Sequence, residues 1–176
     1  MPYDITVGRN QADREKFGIK GTIFIGKSYV RMGELVSLSN NVLMDVAGSH
    51  VVLVLGKRGS GKSYSLSVMA EEMANLPEEI SRNLTILMLD TMGVFWTMKY
   101  PNTREQDLLD EWGLKPKGMP INLYVPLGYF KEYKEKGLPG DMQFAIKTSE
   151  LNASDWCDVF EVKITDAIGV LIEKSL

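Results

Sequence analysis

Val51-Val52-Leu53-Val54-Leu55-Gly56-Lys57-Arg58-Gly59-Ser60-Gly61-Lys62-Ser63 is the stretch whose reading decides the fold. Five apolar residues without polar alternation predict a strand buried on both faces, as in a parallel sheet. The next eight residues match G-x-x-x-x-G-K-[ST]. The bare pattern arises by chance in a chain of this length about one per cent of the time. Here it follows an apolar strand and opens a helical pattern, which is the context that gives it meaning. The glycines let the backbone wrap closely around phosphate with its N–H groups turned inward. The helix that follows points its positive end at the same phosphates. Lys62 places an ammonium on the β- and γ-phosphates, and the Ser63 hydroxyl suits Mg²⁺. The structural alternative is a glycine-rich turn with no ligand.

The stretch therefore predicts a nucleoside triphosphate site, with ATP and Mg²⁺ as cofactors. Gly56, Lys57, Arg58, Gly59, Ser60, Gly61, Lys62, Ser63 and Tyr64 are its nucleotide-binding residues. No N-K-x-D motif occurs, so no recognisable device reads guanine.

Downstream, Leu66, Met69, Ala70, Met73 and Leu76 recur at helical spacing, and Pro77 stops the helix predicted over 62–76. Leu84–Leu89 predicts a second buried strand that ends at Asp90. Residues 104–112 predict a short helix, Ile121–Val125 a third strand, and 144–146 a fourth. Phe130–Lys136 is charged and partly aromatic, without a clear pattern. Asn152 or Ser154 is placed to cap a helix through Phe160, and Thr165 another from Asp166. The order strand, loop, helix, strand, helix, strand is that of a parallel α/β sheet.

Upstream, residues 1–18 are polar and predict a loosely packed arm. Residues 22–25, 35–38 and 42–44 predict short antiparallel strands separated by Gly26, Gly33 and Asn40-Asn41. The expected domains are an arm with a β-rich segment over 1–48 and a P-loop core over 49–176.

Asp90 admits several readings. A carboxylate at the end of a parallel strand lies beside the phosphate site, where it serves as a metal and catalytic residue with Lys62 and Ser63. As a Walker B acid it is imperfect, because Thr91 stands where a glutamate is usual. As a GTPase switch it lacks the guanine motif. As a turn cap it needs no ligand. Trp96, Trp112 and Trp156 read as core or interface residues. His50 has no Ser or Cys partner in a recognisable triad. Lys131–Lys136 reads as solvated surface, and Ser149, Glu150 and Asp155 as helix-start capping.

Composition bounds the rest. Of 176 residues, 44% are hydrophobic and 24% charged, enough apolar material for one good core. Twenty basic against 23 acidic residues give a net charge of −3, so no global basic footprint marks a nucleic-acid binder. The single cysteine, Cys157, forms no internal disulfide or zinc site. The polar N-terminus does not read as a signal peptide, and no run of about 18 apolar residues occurs. A cytoplasmic location is expected.

The stretch Val42–Val46, then His50–Ser63, then Met69–Met73, resembles the archaeal HerA-like members of the HerA–FtsK ATPases. Leu89-Asp90-Thr91-Met92-Gly93-Val94-Phe95-Trp96 resembles the strand-Asp-x-x-Gly-aromatic element of that group. The resemblance spans roughly residues 20–176 and implies a RecA-like P-loop NTPase core behind a β-rich N-terminal appendage. It also implies ATP hydrolysis in a homo-hexameric ring that pumps duplex DNA beside a partner nuclease. Lys62 would then hold phosphate and Ser63 the metal, with Asp90 and Gly93 near the nucleotide.

Two departures stand out. No apolar run ends in Asp-Glu, and no arginine finger is assignable. The apolar helical pattern from Ile164 to Leu176 has no stop signal. Together these predict an incomplete core: the N-terminal part of a longer motor ATPase, binding nucleotide with little hydrolysis. The other functional classes are a P-loop kinase of a small substrate, for which no lid is recognisable, and a nucleotide-gated assembly module.

Overall fold

The computed structural model describes residues 3–33 and 35–176. The chain divides into two compact units, Met1–Pro120 and Ile121–Leu176. The first contains β1 (Ile5–Val7), α1 (Gln11–Phe17), β2 (Thr22–Met32), β3 (Leu35–Asp45), α2 (Lys62–Ala74), α3 (Glu78–Ser81) and α4 (Gln106–Glu111). The second contains β4 (Tyr124–Pro126), α5 (Phe130–Glu135), β5 (Met142–Phe144), α6 (Ala153–Val159) and α7 (Ala167–Ser175). The fold is mixed α/β, with parallel pairing of β1 on β3 and of β4 on β5. Residues 1–48 fall in the same unit as α2.

The N-terminal stretch is not the loose arm its polarity predicts; Met1 and Pro2 alone of it lie outside the described residues. Ile5–Val7 pairs with Val42–Met44. Asn10 caps α1 by accepting from the Asp13 N–H at 2.8 Å. Between them Arg9 is buried. Its Nη1 donates to the Gly18 carbonyl at 2.6 Å, and its Nη2 to those of Lys20 at 2.8 Å and Gly21 at 3.2 Å. Its Nε donates to Asp45 Oδ1 at 3.0 Å, with Nη2 close to the same oxygen. A buried guanidinium needs a counter-charge and acceptors for its donors. These partners lie up to 36 residues away, so local composition does not reveal them.

The three short strands expected over 22–44 are one antiparallel ribbon of two 11-residue strands, β2 and β3. Its register shifts between Phe24 and Gly26 and again between Lys27 and Tyr29. An extra residue on one strand at such a point bends the ribbon without ending it. The expected breakers Gly26 and Asn40-Asn41 thus act as irregularities within longer strands. Sheet order β1-β3-β2 leaves β2 at an edge, and α2 packs against it. Burial, first of all, raises the pKa of Glu72 on α2, with the Glu71 charge adding to it and the Phe24 backbone opposing it. The Trp112 ring, just after α4, lies 6.4 Å from that of Phe24, and the Lys27 ammonium lies 5.2 Å from the Trp112 ring.

The largest departure from expectation is at the two apolar runs. Residues 51–55 and 84–89 are not strands: no ladder pairs either segment among the described residues. Val51 is fully exposed, and Leu53, Leu55, Leu87 and Leu89 are each at least 77% exposed. Val52 and Ile86–Leu89 do line a groove of about 500 Å³ together with Leu66, Met69, Ala70 and Met73 of α2. Side chains of both segments thus meet the apolar side of the helix, where the sequence predicts strands buried on both faces. Neither segment has a ladder partner for its backbone edges among the described residues.

In the second unit, the strand expected at 121–125 forms at Tyr124–Pro126, and that expected at 144–146 at Met142–Phe144. Asn152 caps α6 in a reciprocal box with Asp155. Asp166, not Thr165, precedes α7. Phe130–Glu135 is helical, with Lys136 bonded to Glu132 at 2.5 Å on an exposed face. Trp156 stacks on Phe160 at 5.6 Å, and Cys157 is buried and free. Among the described residues no helix is long and apolar enough to cross a membrane.

Two outcomes follow from these contacts. Burial alone would raise the pKa of Asp45, but hydrogen bonds from His50 and Arg9, then Gly48 and Ala47, lower it to about 2 from 3.8. A depressed carboxylate stabilises the fold above its unfolded pKa, and that contribution is lost as pH falls through the folded one. Urea melts should therefore lose about 2 kcal/mol between pH 4 and pH 2 through this group, and Asp45→Asn should remove that share of the pH dependence. Exposed apolar segments at 51–55 and 87–89 should also drive concentration-dependent association without a closed ring. Sedimentation at increasing concentration checks this, and a monomer throughout would contradict it.

Candidate functional site

The turn that follows Leu55 is shaped by its glycines. Gly59 has φ +78° and Gly61 φ +86°, a region that costs other L-residues roughly 1–2 kcal/mol. A Cβ at Gly56 would collide with Ser60 Oγ, so the chain crosses close to itself there. The Ser60 N–H closes the turn on the Lys57 carbonyl at 3.2 Å. Gly61 is then the N-cap of α2, and its carbonyl accepts from the Ser65 N–H at 2.9 Å.

A glycine N-cap has no side chain to satisfy the first N–H groups of the helix. None of the first-turn residues is acidic. Thirteen helical residues thus begin with uncapped donors and the positive end of the helix dipole. Lys62 folds back so that its Nζ donates to the Lys57 carbonyl at 2.9 Å. The ammonium is therefore held against the loop's own backbone. Lys57, Arg58, Ser60, Ser63 and Tyr64 are exposed. The structure gathers Gly56–Tyr64 into one cationic, donor-rich turn with no acid within it.

Asp90 is an exposed residue. Its Oδ2 accepts the Phe95 N–H at 2.8 Å, at the start of the 3₁₀ turn Phe95–Lys99. Of the sequence readings of Asp90, this is the turn-holding one. Among the described residues no hydrogen bond links it to the glycine turn. Gly93, with φ +64°, lies within the segment that Asp90 closes.

His50 does not stand in a nucleophile triad. Its Nε2 donates to Asp45 Oδ2 at 2.7 Å. Sequence reasoning missed Asp45 as its partner, and Arg9 as the further partner of Asp45. The available signal was the short spacing from Asp45 to His50, just ahead of the apolar run. Trp112 and Trp156 pack on aromatic neighbours, and Trp96 meets Tyr100 edge-on at 6.1 Å.

A glycine-shaped turn delivered onto an uncapped helix start is a geometry suited to anions. The family model "Helicase HerA, central domain" matches residues 30–171, and the chain belongs to this family. Membership makes it a member of an ATPase-type P-loop superfamily that uses nucleotide. Neither a curated protein nor a solved structure matches the chain.

Asp90 supplies a direct check on local structure. Asp90→Ala should cost about 0.5–2 kcal/mol, as for the loss of a capping acceptor. Asp90→Asn keeps an acceptor oxygen and should cost less. Thermal melts of the two variants measure the difference, and equal losses would show that the Phe95 bond is not what the carboxylate contributes.

Proposed function

We propose that the turn Gly56–Ser63 binds ATP with Mg²⁺, as the nucleotide-binding step of a HerA-type DNA-translocating ATPase. The observation that carries this reading is the α2 N-terminus, uncapped and free of acids, with Lys62 folded over the turn that precedes it. The fit to a triphosphate lies in the donors. The N–H groups of the turn and of Lys62, Ser63 and Tyr64 supply hydrogen bonds to phosphate oxygens. Lys62 exchanges its bond to the Lys57 carbonyl for a charge-assisted one. Lys57 and Arg58 add positive potential at the exposed rim. The Ser63 hydroxyl would be the protein ligand for Mg²⁺, and the metal would supply neutralisation of the triphosphate charge.

Asp90 bonds the Phe95 N–H through one carboxylate oxygen, and the other would be available to the hydration shell of the metal. In that role the carboxylate would couple the 90–95 segment to bound nucleotide. Duplex DNA, a nuclease partner and a hexameric ring belong to the HerA-type reading of the whole motor.

Isothermal calorimetry with Mg·ATP tests the site. Lys62→Ala should weaken binding by about tenfold or more, since a charge-assisted contact contributes roughly 1.5–3 kcal/mol. ATP should bind at least as well as GTP in a competition titration. Asp90→Asn should reduce the Mg²⁺ dependence of ATP affinity. Unchanged affinity in Lys62→Ala would remove the assignment, and a clear preference for GTP would return the site to the GTPases.

A further inference from the structure

We propose that Arg9, Asp45 and His50 form a positioning clamp that fixes the chain segment feeding the glycine turn, and that the clamp thereby sets nucleotide affinity. This rests on the reading of Gly56–Ser63 as the nucleotide site.

The argument begins with a missing support. Residues 51–55 carry the turn, yet no ladder holds them among the described residues. Their starting point is held instead. Asp45 is the last residue of β3, and His50 immediately precedes Val51. The Asp45 carboxylate closes the intervening bend. Oδ2 accepts from the Gly48 N–H at 3.1 Å and from His50 Nε2 at 2.7 Å, and Oδ1 accepts from the Ala47 N–H at 3.4 Å. Oδ1 also takes Arg9, whose remaining donors are used by Gly18, Lys20 and Gly21.

Packing leaves little slack around these bonds. A Cβ on Gly8 would stand 3.3 Å from His50 Cε1, and one on Gly48 would stand 3.2 Å from Asp45 Oδ2. Exposure falls inward along the chain of contacts: the His50 side chain is 28% exposed, Asp45 7% and Arg9 1%. The N-terminal segment, the end of the ribbon and the lead into the turn thus converge on one carboxylate.

The link to affinity is preorganisation. A site that is competent only part of the time binds more weakly in proportion to that fraction. Freeing His50 releases the start of residues 51–55, which lowers the competent fraction without touching any group that meets phosphate. Arg9 acts one step further out by holding the carboxylate that holds His50. Both are positioning residues.

The test uses the full chain and compares Mg·ATP affinity by calorimetry with melting temperature in the absence of nucleotide. Four variants are compared with wild type: Arg9→Ala, His50→Ala, His50→Gln and Lys62→Ala. Arg9→Ala and His50→Ala should weaken binding by about three- to tenfold. His50→Gln retains a side-chain N–H for Asp45 and should restore affinity to within about twofold of wild type. A purely structural role would lower the melting temperature and leave affinity alone. Affinity within about twofold of wild type in both alanine variants therefore overturns the clamp, as does a failure of His50→Gln to restore what His50→Ala loses. If Arg9→Ala does not fold, the half-exposed His50 pair decides the outcome. Wild-type protein that binds no Mg·ATP, or binds it equally in Lys62→Ala, removes the nucleotide site itself and the coupling with it. Loss in Lys62→Ala alone, with the alanine variants of the clamp unaffected, overturns only the clamp.

Discussion

The buried carboxylate of Asp45 is the constraint on which the first unit depends. It is held by one guanidinium, one imidazole and two backbone N–H groups. Removing any of the charged members would leave an unpaired charge in a buried place, which is why such clusters are all-or-nothing structures. Through Arg9 the carboxylate reaches the carbonyls at the end of α1 and the start of β2; through His50 it reaches the segment that carries the glycine turn. The parallel pairing of β1 on β3 brings Arg9 to that position, because Val7 lies opposite Met44. Arg9 stands two residues beyond Val7 and Asp45 one residue beyond Met44.

Around that point the fold shows a sharp contrast in how its backbone groups are satisfied. The ribbon pairs along almost its whole length, and α2 packs against β2. The apolar runs at 51–55 and 84–89 place side chains against α2, while Val51, Leu53, Leu55, Leu87 and Leu89 stay largely exposed. A strand apolar on both faces is stable only between two neighbours and two layers. Among the described residues no ladder partner flanks either run. The runs therefore lie extended against the helix without becoming a sheet.

The local backbone shape of the glycine turn arises within the turn itself. Its conformation comes from Gly59 and Gly61, which reach positive φ without penalty, and from the helix that starts at Lys62. Such local determinants are legible in a sequence, and the spacing of Gly56, Gly61, Lys62 and Ser63 was enough to place the turn and the helix. Asp90 lies at the opposite pole. Its position at the end of an apolar run suggested a metal-shell acid, and its observed bond is to a backbone N–H five residues on. A carboxylate near a turn has both options, and spacing along the chain does not choose between them.

The sequence by itself determined the elements whose signals are short-range. These are the helix at 62–74 ended by Pro77, a capped helix start at Asn152 or Ser154, of which the structure uses Asn152, and the family to which residues 30–171 belong. In each case the deciding groups lie within four residues of one another, or form a contiguous motif. Tertiary structure decided what depends on groups far apart in the chain. Arg9 looked like one more charge in a polar arm, and only pairing β1 with β3 put a carboxylate and three carbonyls around it. The three short strands became one ribbon because cross-strand bonds outweighed the local breakers at Gly26 and Asn40-Asn41. The two apolar runs failed to become strands for the converse reason. Hydrophobic patterning states which faces are to be buried, but a ladder needs a partner backbone alongside, and no pattern within a segment supplies one.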